Sequence, residues 1–349
     1  TNPMKRKTTW VTSLDVAALA GVSQSAVSRA FTPGSPIAEE KRIRILEAAR
    51  KLNYVPNSIA SSLTTKRTNT VAVILGNLEN PFYLEVLKIL IDRVQREGRQ
   101  ILTFTVENGR ASDDALMRVL RYQVDGIILT SAQLSTRMTS LCLDRGIPIV
   151  LFNRYIPGTD ASGVRCDNAG GGRMMADAFL RAGARRFAMI KGDPRGTTSL
   201  DRMRGFTERL LEAAIPRGAI EELEGHSVYE GGHAAVLRAY RDEGRPLPDA
   251  IFGINDIMAM GAMDALRHEL GRSVPGDVMV GGFDDIPEGA RGPYRLTTVR
   301  QPVEEMVEET LAMLHLDKPD VPIEPGIDRM LPGRLVWRDT IPGDPPPTG

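Results

Sequence analysis

Along most of the chain, short apolar runs alternate with longer stretches that repeat apolar residues at helical spacing. Residues 71–75, 101–106, 125–129 and 147–152 form one set of such runs, and 186–190, 250–254 and 278–280 form a second. Apolar throughout and separated by helices, they predict parallel strands covered on both faces. Two sets predict two α/β subdomains, with ligand positions at the carboxyl ends of the strands. The stretch Leu296-Thr297-Thr298-Val299-Arg300-Gln301-Pro302 and its following helix then lead back toward the first subdomain.

The first 55 residues keep a different rhythm. Residues 13–20 begin with the hydroxyl of Ser13, carry Asp15 in the first turn and stop at Gly21, which predicts one short helix. Ser23 is placed to cap a second, residues 24–31, with Val27, Ala30 and Phe31 on its apolar face. Two short helices across a tight turn make a helix-turn-helix unit. Gln24, Ser25, Ser28 and Arg29 fall on the polar side, and these side chains suit base edges: Gln for adenine, Arg for guanine, Ser for either base or for phosphate. A third helix near 39–52 repeats apolar residues at Ile43, Leu46 and Ala48 or Ala49 and buttresses the pair.

Charge sharpens this division. Of 349 residues, the first 70 hold 11 Lys plus Arg against 4 acids, and the remainder hold 33 against 40. A basic head of +7 on an acidic body of −7 fits a chain that meets a polyanion at one end. A composition of 42% hydrophobic and 25% charged residues excludes a disordered or fibrous chain. No apolar run reaches the roughly 18 residues of a membrane span, and Met4-Lys5-Arg6-Lys7 is not followed by an apolar core, which points to the cytoplasm. Cys142 and Cys166, 24 residues apart without a CxxC, read as buried thiols.

The runs Asp15-Val16-Ala17, Ala20-Gly21-Val22-Ser23 and Val27-Ser28-Arg29, followed by Leu52-Asn53-Tyr54-Val55-Pro56-Asn57 and Ala60-Ser61-Ser62-Leu63, resemble the head and hinge of the LacI/GalR (lactose-repressor/galactose-repressor) family. The resemblance covers nearly the whole chain. It implies an N-terminal all-α helix-turn-helix head with a hinge helix, joined to a two-subdomain α/β core like a periplasmic binding protein, with Rossmann-like parallel sheets. The corresponding division is 1–55 for the head, 56–69 for the hinge and 70–349 for ligand binding and dimerisation. Within the last, one subdomain spans about 70–165 and 300–328, and the other about 166–299 and 329–340.

The resemblance also implies roles. Ser23, Gln24, Ser25, Ser28 and Arg29 meet a half-site of double-stranded DNA, while Asn57, Ala60 and Leu63 belong to a hinge that folds on the operator, Leu63 wedging into the minor groove. The segment 57–63 is too short for a stable isolated helix, as folding on binding requires. Three departures from the family pattern stand out: Ala26 replaces a Thr and removes a possible hydrogen bond to DNA, Phe31-Thr32 replaces Leu-Asn, and Ala38 leaves the third helix without a side-chain cap.

In the body, Asn80-Pro81-Phe82-Tyr83 follows the first strand, and Phe82 and Tyr83 offer rings for stacking on a sugar or purine, or for packing at a helix start. Ser131 lies beyond the third strand and Arg154 beyond the fourth. Arg202, in Ser199-Leu200-Asp201-Arg202-Met203-Arg204-Gly205-Phe206, matches the family arginine that reaches the ligand, with Arg204 a solvated neighbour. Asn255 and Asp284 end strands and match residues that bind ligand hydroxyls, while Asp256 is expected to cap its helix. Ser227 stands where relatives carry an aromatic residue over the ligand. Arginine forks facing carboxylate and amide suit a polyol, and two arginines also suit a carboxylate on it, so the expected effector is a sugar or sugar acid.

Other chemistry is absent from the pattern. The four histidines show no metal spacing, and Gly170-Gly171-Gly172 lacks the form of a phosphate loop and reads as a helix start. No cofactor, metal or catalytic constellation is expected. The reading is a repressor acting as a homodimer on a near-palindromic operator under effector control, with a ligand-tightened corepressor-type regulator and a solute-binding transport component as alternatives.

Overall fold

In the computed structural model, which describes residues 11–32, 34–56, 67–106, 113–130, 135–156, 159–317, 324 and 326–343, Thr12 rather than Ser13 starts the first helix, α1 (Ser13–Ala20). The Thr12 hydroxyl accepts from the Asp15 N–H at 3.3 Å and the Asp15 carboxylate accepts from the Thr12 N–H at 2.8 Å. This reciprocal pair satisfies two otherwise orphaned groups and holds the Asp15 carboxyl below its ordinary range. The helix stops at Gly21, whose φ of 66° is left-handed. Ser23 caps α2 (Gln24–Phe31) by accepting from the Ala26 N–H.

In α3 (Glu39–Lys51) Ala38 makes no side-chain cap, as its residue type predicts. The buried face of α3 is Ile45, Ala48 and Ala49, whereas Ile43 and Leu46 are exposed, so the expected apolar stripe is turned by two positions. Its neighbours explain why: Val16, Ala17, Ala26, Val27 and Ala30 form the small core, and only the 45/48/49 face meets them. Arg42 does not project outward; its guanidinium donates to the carbonyls of Ala30 and Ser35 and ties α3 to the end of α2.

The chain divides into two compact units, Thr1–Thr68 and Asn69–Gly349. In the second, β1 (Thr70–Leu75), α4 (Pro81–Arg96), β2 (Gln100–Thr105), α5 (Asp113–Val119), β3 (Gly126–Thr130), α6 (Thr136–Asp144), β4 (Ile149–Phe152) and β5 (Ser162–Cys166) open the first lobe. The second lobe holds α7 (Asn168–Arg181), β6 (Phe187–Lys191), α8 (Thr197–Glu212), β7 (Ile220–Glu224), α9 (Tyr229–Leu237), β8 (Ala250–Gly253), α10 (Asp256–Asp264), β9 (Met279–Asp284), α11 (Pro287–Ala290) and β10 (Thr297–Arg300). Next, α12 (Val303–Met313) packs on α4, β4 and β5 of the first lobe; β11 (Asp328–Leu331) and β12 (Arg334–Val336) close the order.

The first sheet is β11-β5-β4-β3-β1-β2, parallel throughout; the second is β12-β10-β9-β8-β6-β7, parallel except for β12 against β10. The chain therefore passes between lobes three times, after Cys166, after Arg300 and between Leu331 and Arg334. The expected subdomain limits need correction at the last passage. β11 pairs with β5 in the first sheet, so residues 329–331 belong to the first lobe, not the second.

The glycine run at 170–172 lies within the first turns of α7, capped by Asp167, as a helix start should. A Cβ on Gly172 would overlap the Arg202 carbonyl, and one on Gly205 would overlap the Ala169 carbonyl, so α7 and α8 touch backbone to backbone. Gly205→Ala is therefore expected to cost ~1–3 kcal/mol or more by forcing the helices apart, read as a lower urea midpoint at unchanged slope. An unchanged midpoint would show that the helix pair yields freely.

Cys142 and Cys166 are buried and unbridged, and burial pushes their thiols up to about 11 and about 12. Among the described residues no helix is long and apolar enough to cross a membrane, and no group of side chains is arranged for a metal ion.

Candidate functional site

On the head, Ser23, Gln24, Ser25, Ser28 and Arg29 are all exposed on one face of α2, opposite the buried Ala26, Val27 and Ala30. Their mutual bonds are light. The Gln24 amide donates to the Ser13 hydroxyl at 3.0 Å, and Arg29 Nε donates to the Ser25 carbonyl at 3.3 Å. The hydroxyls of Ser23 and Ser25 lie 3.0 Å apart. The expectation for Ala26 is corrected: at 1% exposure it packs inside the head, so its missing hydroxyl bears on the core and not on a DNA contact. Asn57, Ala60 and Leu63 lie outside the described residues, as does 57–66 of the expected hinge over 56–69.

In the body the centre of the site is a buried ion pair. Arg202, in the second turn of α8, sends Nη2 to within 3.1 Å of Asp284 Oδ1 at the end of β9. Its Nε donates to Asn168 Oδ1 at 2.8 Å, its Nη1 to the Ile254 carbonyl at 2.7 Å, and its plane lies 3.6 Å from the Phe283 ring centroid. Carboxylate, amide, carbonyl and ring thus fix the guanidinium in one orientation.

Asp284 in turn accepts from two amides, Asn80 Nδ2 at 3.0 Å and Gln301 Nε2 at 2.7 Å. Asn80 comes from the other lobe: it follows β1 and caps α4 by accepting from the Phe82 N–H at 3.0 Å. One side chain both starts a helix in the first lobe and grips the carboxylate of the second. Burial holds the Asp284 carboxyl above its ordinary range even against Arg202 and these donors.

The remaining residues expected at the site differ in burial and in partners. Phe82 and Tyr83 are both buried and meet edge to face at 5.2 Å; Phe82, 1% exposed, is a core residue in this arrangement. Arg154 is buried beyond β4; burial lowers its pKa, and Tyr83 and Asp193 act to raise it. Ser227 has a left-handed φ of 64°, and its hydroxyl accepts from the Asp193 N–H at 3.0 Å. Arg204 is exposed and pairs with Asp201 at 2.9 Å. Ser131 lies outside the described residues.

Asn255 takes the capping part expected of Asp256. Asn255 is the cap of α10, accepting from the Met258 N–H at 3.0 Å and donating to the Ser227 carbonyl at 3.4 Å. Asp256 is wholly buried, accepting from the Thr298 hydroxyl at 2.5 Å and the Ile286 N–H at 2.9 Å. Burial, reinforced by the nearby Asp284 charge, pushes its carboxyl up to about 7. A carboxyl raised in the folded state stabilises below its unfolded pKa near 4 and loses that contribution as pH rises through 7. Asp256→Asn, whose amide can accept from Ile286 and donate to Thr298, is expected to flatten the fall in melting temperature between pH 5 and 8. The difference is on the order of a few kcal/mol. Parallel profiles for the two proteins would refute this.

Asn80, Asn168 and Gln301 were not legible as site residues. Asn80 carries the signal of a cap before Pro81, and Gln301 sits in the passage before Pro302, but neither signal distinguishes a cap or a loop from a ligand position.

A helix-turn-helix head with a free polar face, and a body whose two lobes meet over buried hydrogen-bonding side chains at strand ends, define a ligand-responsive DNA-binding regulator. Residues 12–57 match the model of bacterial regulatory proteins of the lacI family, and 176–341 match a periplasmic binding protein-like domain. The HTH-type transcriptional regulator CelR of Thermobifida fusca is 32% identical over 86% of this chain and 89% of its own. The chain belongs to the lacI family of transcriptional regulators, and its relatives are regulators rather than enzymes. Among solved structures, the Lac repressor dimer bound to operator and the anti-inducer ONPF matches with a TM-score of 0.84 at 25% identity, covering 95% of this chain and 99% of that one. A CelR–cellobiose complex matches at 0.68 and 29% identity over the same shares.

Proposed function

We propose that this regulator is a repressor that binds a near-palindromic operator as a homodimer in the cytoplasm, and that a sugar or sugar acid held between the lobes sets its operator affinity. Gln24, Ser25, Ser28 and Arg29 read bases, Ser23 contacts the backbone, and Asn57, Ala60 and Leu63 act in the hinge. Arg154, Arg202, Asn255 and Asp284 bond the effector, with Tyr83, Phe82, Ser131 and Ser227 shaping its surroundings. The operator and cellobiose of the related structures favour this reading.

The observation that carries the effector class is the set Asn80, Arg202, Asp284 and Gln301, which joins donors and acceptors from both lobes and one passage between them. Gln301 Oε1 is buried and takes no hydrogen bond among the described residues. An unmet buried acceptor costs about 1–3 kcal/mol, which a ligand hydroxyl can recover. Adjacent hydroxyls of a polyol match a guanidinium fork beside a carboxylate.

A thermal-shift panel of cellobiose, ribose, gluconate, sorbitol and adenine on the full chain tests this. A sugar or sugar acid at about a hundredfold its Kd adds roughly 2.7 kcal/mol, a shift of a few degrees. A shift with adenine alone, or with none of the panel, overturns the sugar reading. Operator binding with and without the hit then separates release from tightening.

A further inference from the structure

Two consecutive residues of α8 face different neighbours. Arg202 points to Asn168, the Ile254 carbonyl and Asp284, all in the second lobe. Asp201, 4% exposed, lies against the first lobe instead. The Tyr155 hydroxyl donates to its Oδ1 at 3.4 Å, and Arg165 Nη1 stands 3.8 Å from its Oδ2. At the start of α8, the Thr197 hydroxyl donates to the Tyr155 carbonyl at 3.4 Å.

Arg165 is itself anchored. It holds Asp328 of β11 through Nε at 3.0 Å and Nη2 at 2.8 Å, and its guanidinium lies 4.8 Å from the Tyr155 ring centroid. The strands it joins, β5 and β11, lead into two of the three passages between lobes. The circuit closes around the first passage: Asn168, which receives Arg202, donates to the Cys166 carbonyl at 3.0 Å, next in the chain to Arg165.

We propose that Asp201, with Arg165 and Tyr155 facing it across the first passage, is a latch that converts movement of Arg202 into a change of the angle between the lobes. This rests on the reading of the Arg202 cleft as the effector site. A 16-residue helix moves as one body, so whatever draws the guanidinium of Arg202 also displaces the neighbouring carboxylate. The latch is soft because its cross-lobe contacts are long and because taking a carboxylate from water opposes the attraction of the arginines. Burial raises the Asp201 carboxyl while Arg204, Arg165 and Tyr155 act to lower it. A soft latch of this kind lets a ligand with about a 5- to 150-fold preference between arrangements move the equilibrium.

Hydrogen–deuterium exchange of the full chain without added ligand tests the latch. Asp201→Asn keeps the shape and removes the charge; Tyr155→Phe keeps the ring and removes the hydroxyl. Exchange over 153–156 and 163–168 is expected to rise about tenfold in Asp201→Asn and less in Tyr155→Phe, with 205–212 in α8 unchanged. The double variant is expected to match Asp201→Asn, because coupled residues do not add. Unchanged exchange in those segments, a rise spread along all of α8, or fully additive effects would each overturn the proposal. The panel of sugars is a separate test: a latch that opens on Asp201→Asn with no sugar bound by the chain refutes the cleft reading and leaves the latch standing.

Discussion

Arg202→Ala is expected to destabilise the body by about 3–5 kcal/mol and to abolish any thermal shift by the effector. The stability term follows from what remains behind: Asp284, 5% exposed, keeps two amide donors but loses its only counter-charge among the described residues. Arg202→Lys separates charge from shape. An ammonium can still face Asp284, but it cannot serve Asn168, the Ile254 carbonyl and Asp284 from one plane, so stability should partly return while ligand response stays weak. Urea unfolding of the three proteins, followed by the ligand panel, reads both terms. A loss below 1 kcal/mol for Arg202→Ala would mean that Asp284 is far better hydrated than its burial indicates.

The second large effect concerns the head. Arg29→Ala is expected to cost about 1–3 kcal/mol of discrimination, roughly 5- to 150-fold on the preferred duplex, while binding to random DNA changes little. Arg29 is exposed and, among the described residues, is tied to the Ser25 carbonyl one turn back, so removing it should leave the fold of the head intact. Selection from a random duplex library identifies the preferred site first, and titrations at several salt concentrations then compare the two proteins. Equal losses on preferred and random duplex would reassign Arg29 from base reading to phosphate contact.

The expected and observed folds agree where a strand is a continuous apolar run and part where it is not. The central strands β1, β3, β4, β6, β8 and β9 are nearly unbroken apolar runs, and each was legible. The strands that escaped notice lack such a run: β5 reads Ser-Gly-Val-Arg-Cys although it lies inside its sheet, β7 reads Ile-Glu-Glu-Leu-Glu, and β11 is largely exposed at the edge. Their identity comes from a neighbour's free edge, which a local pattern does not contain.

The site divides in the same way. Arg202 and Asp284 were named through the family resemblance, Arg202 from the run Asp201-Arg202-Met203-Arg204-Gly205-Phe206 and Asp284 from its place at a strand end. Asn80 and Gln301 did not, since an amide before a proline looks alike whether it caps a helix, fills a loop or reaches 204 positions along the chain to Asp284. The cap was expected at Asp256 rather than Asn255 because both are competent caps, and only the Thr298 hydroxyl and the Ile286 N–H draw Asp256 inward.

The three passages between lobes also constrain how such a protein can be altered by exchange of sequence. Neither lobe is a continuous stretch: the first sheet needs residues 328–331 to complete its edge, and the second needs 334–336. A recombination breakpoint anywhere from β1 to β12 separates strands that belong to one sheet, whereas one near residue 69 separates two units that each keep their own core. Shuffling therefore has one permissive joint, at which a whole body with its ligand preference can be traded for another, and new preferences within a body must arise by substitution in place.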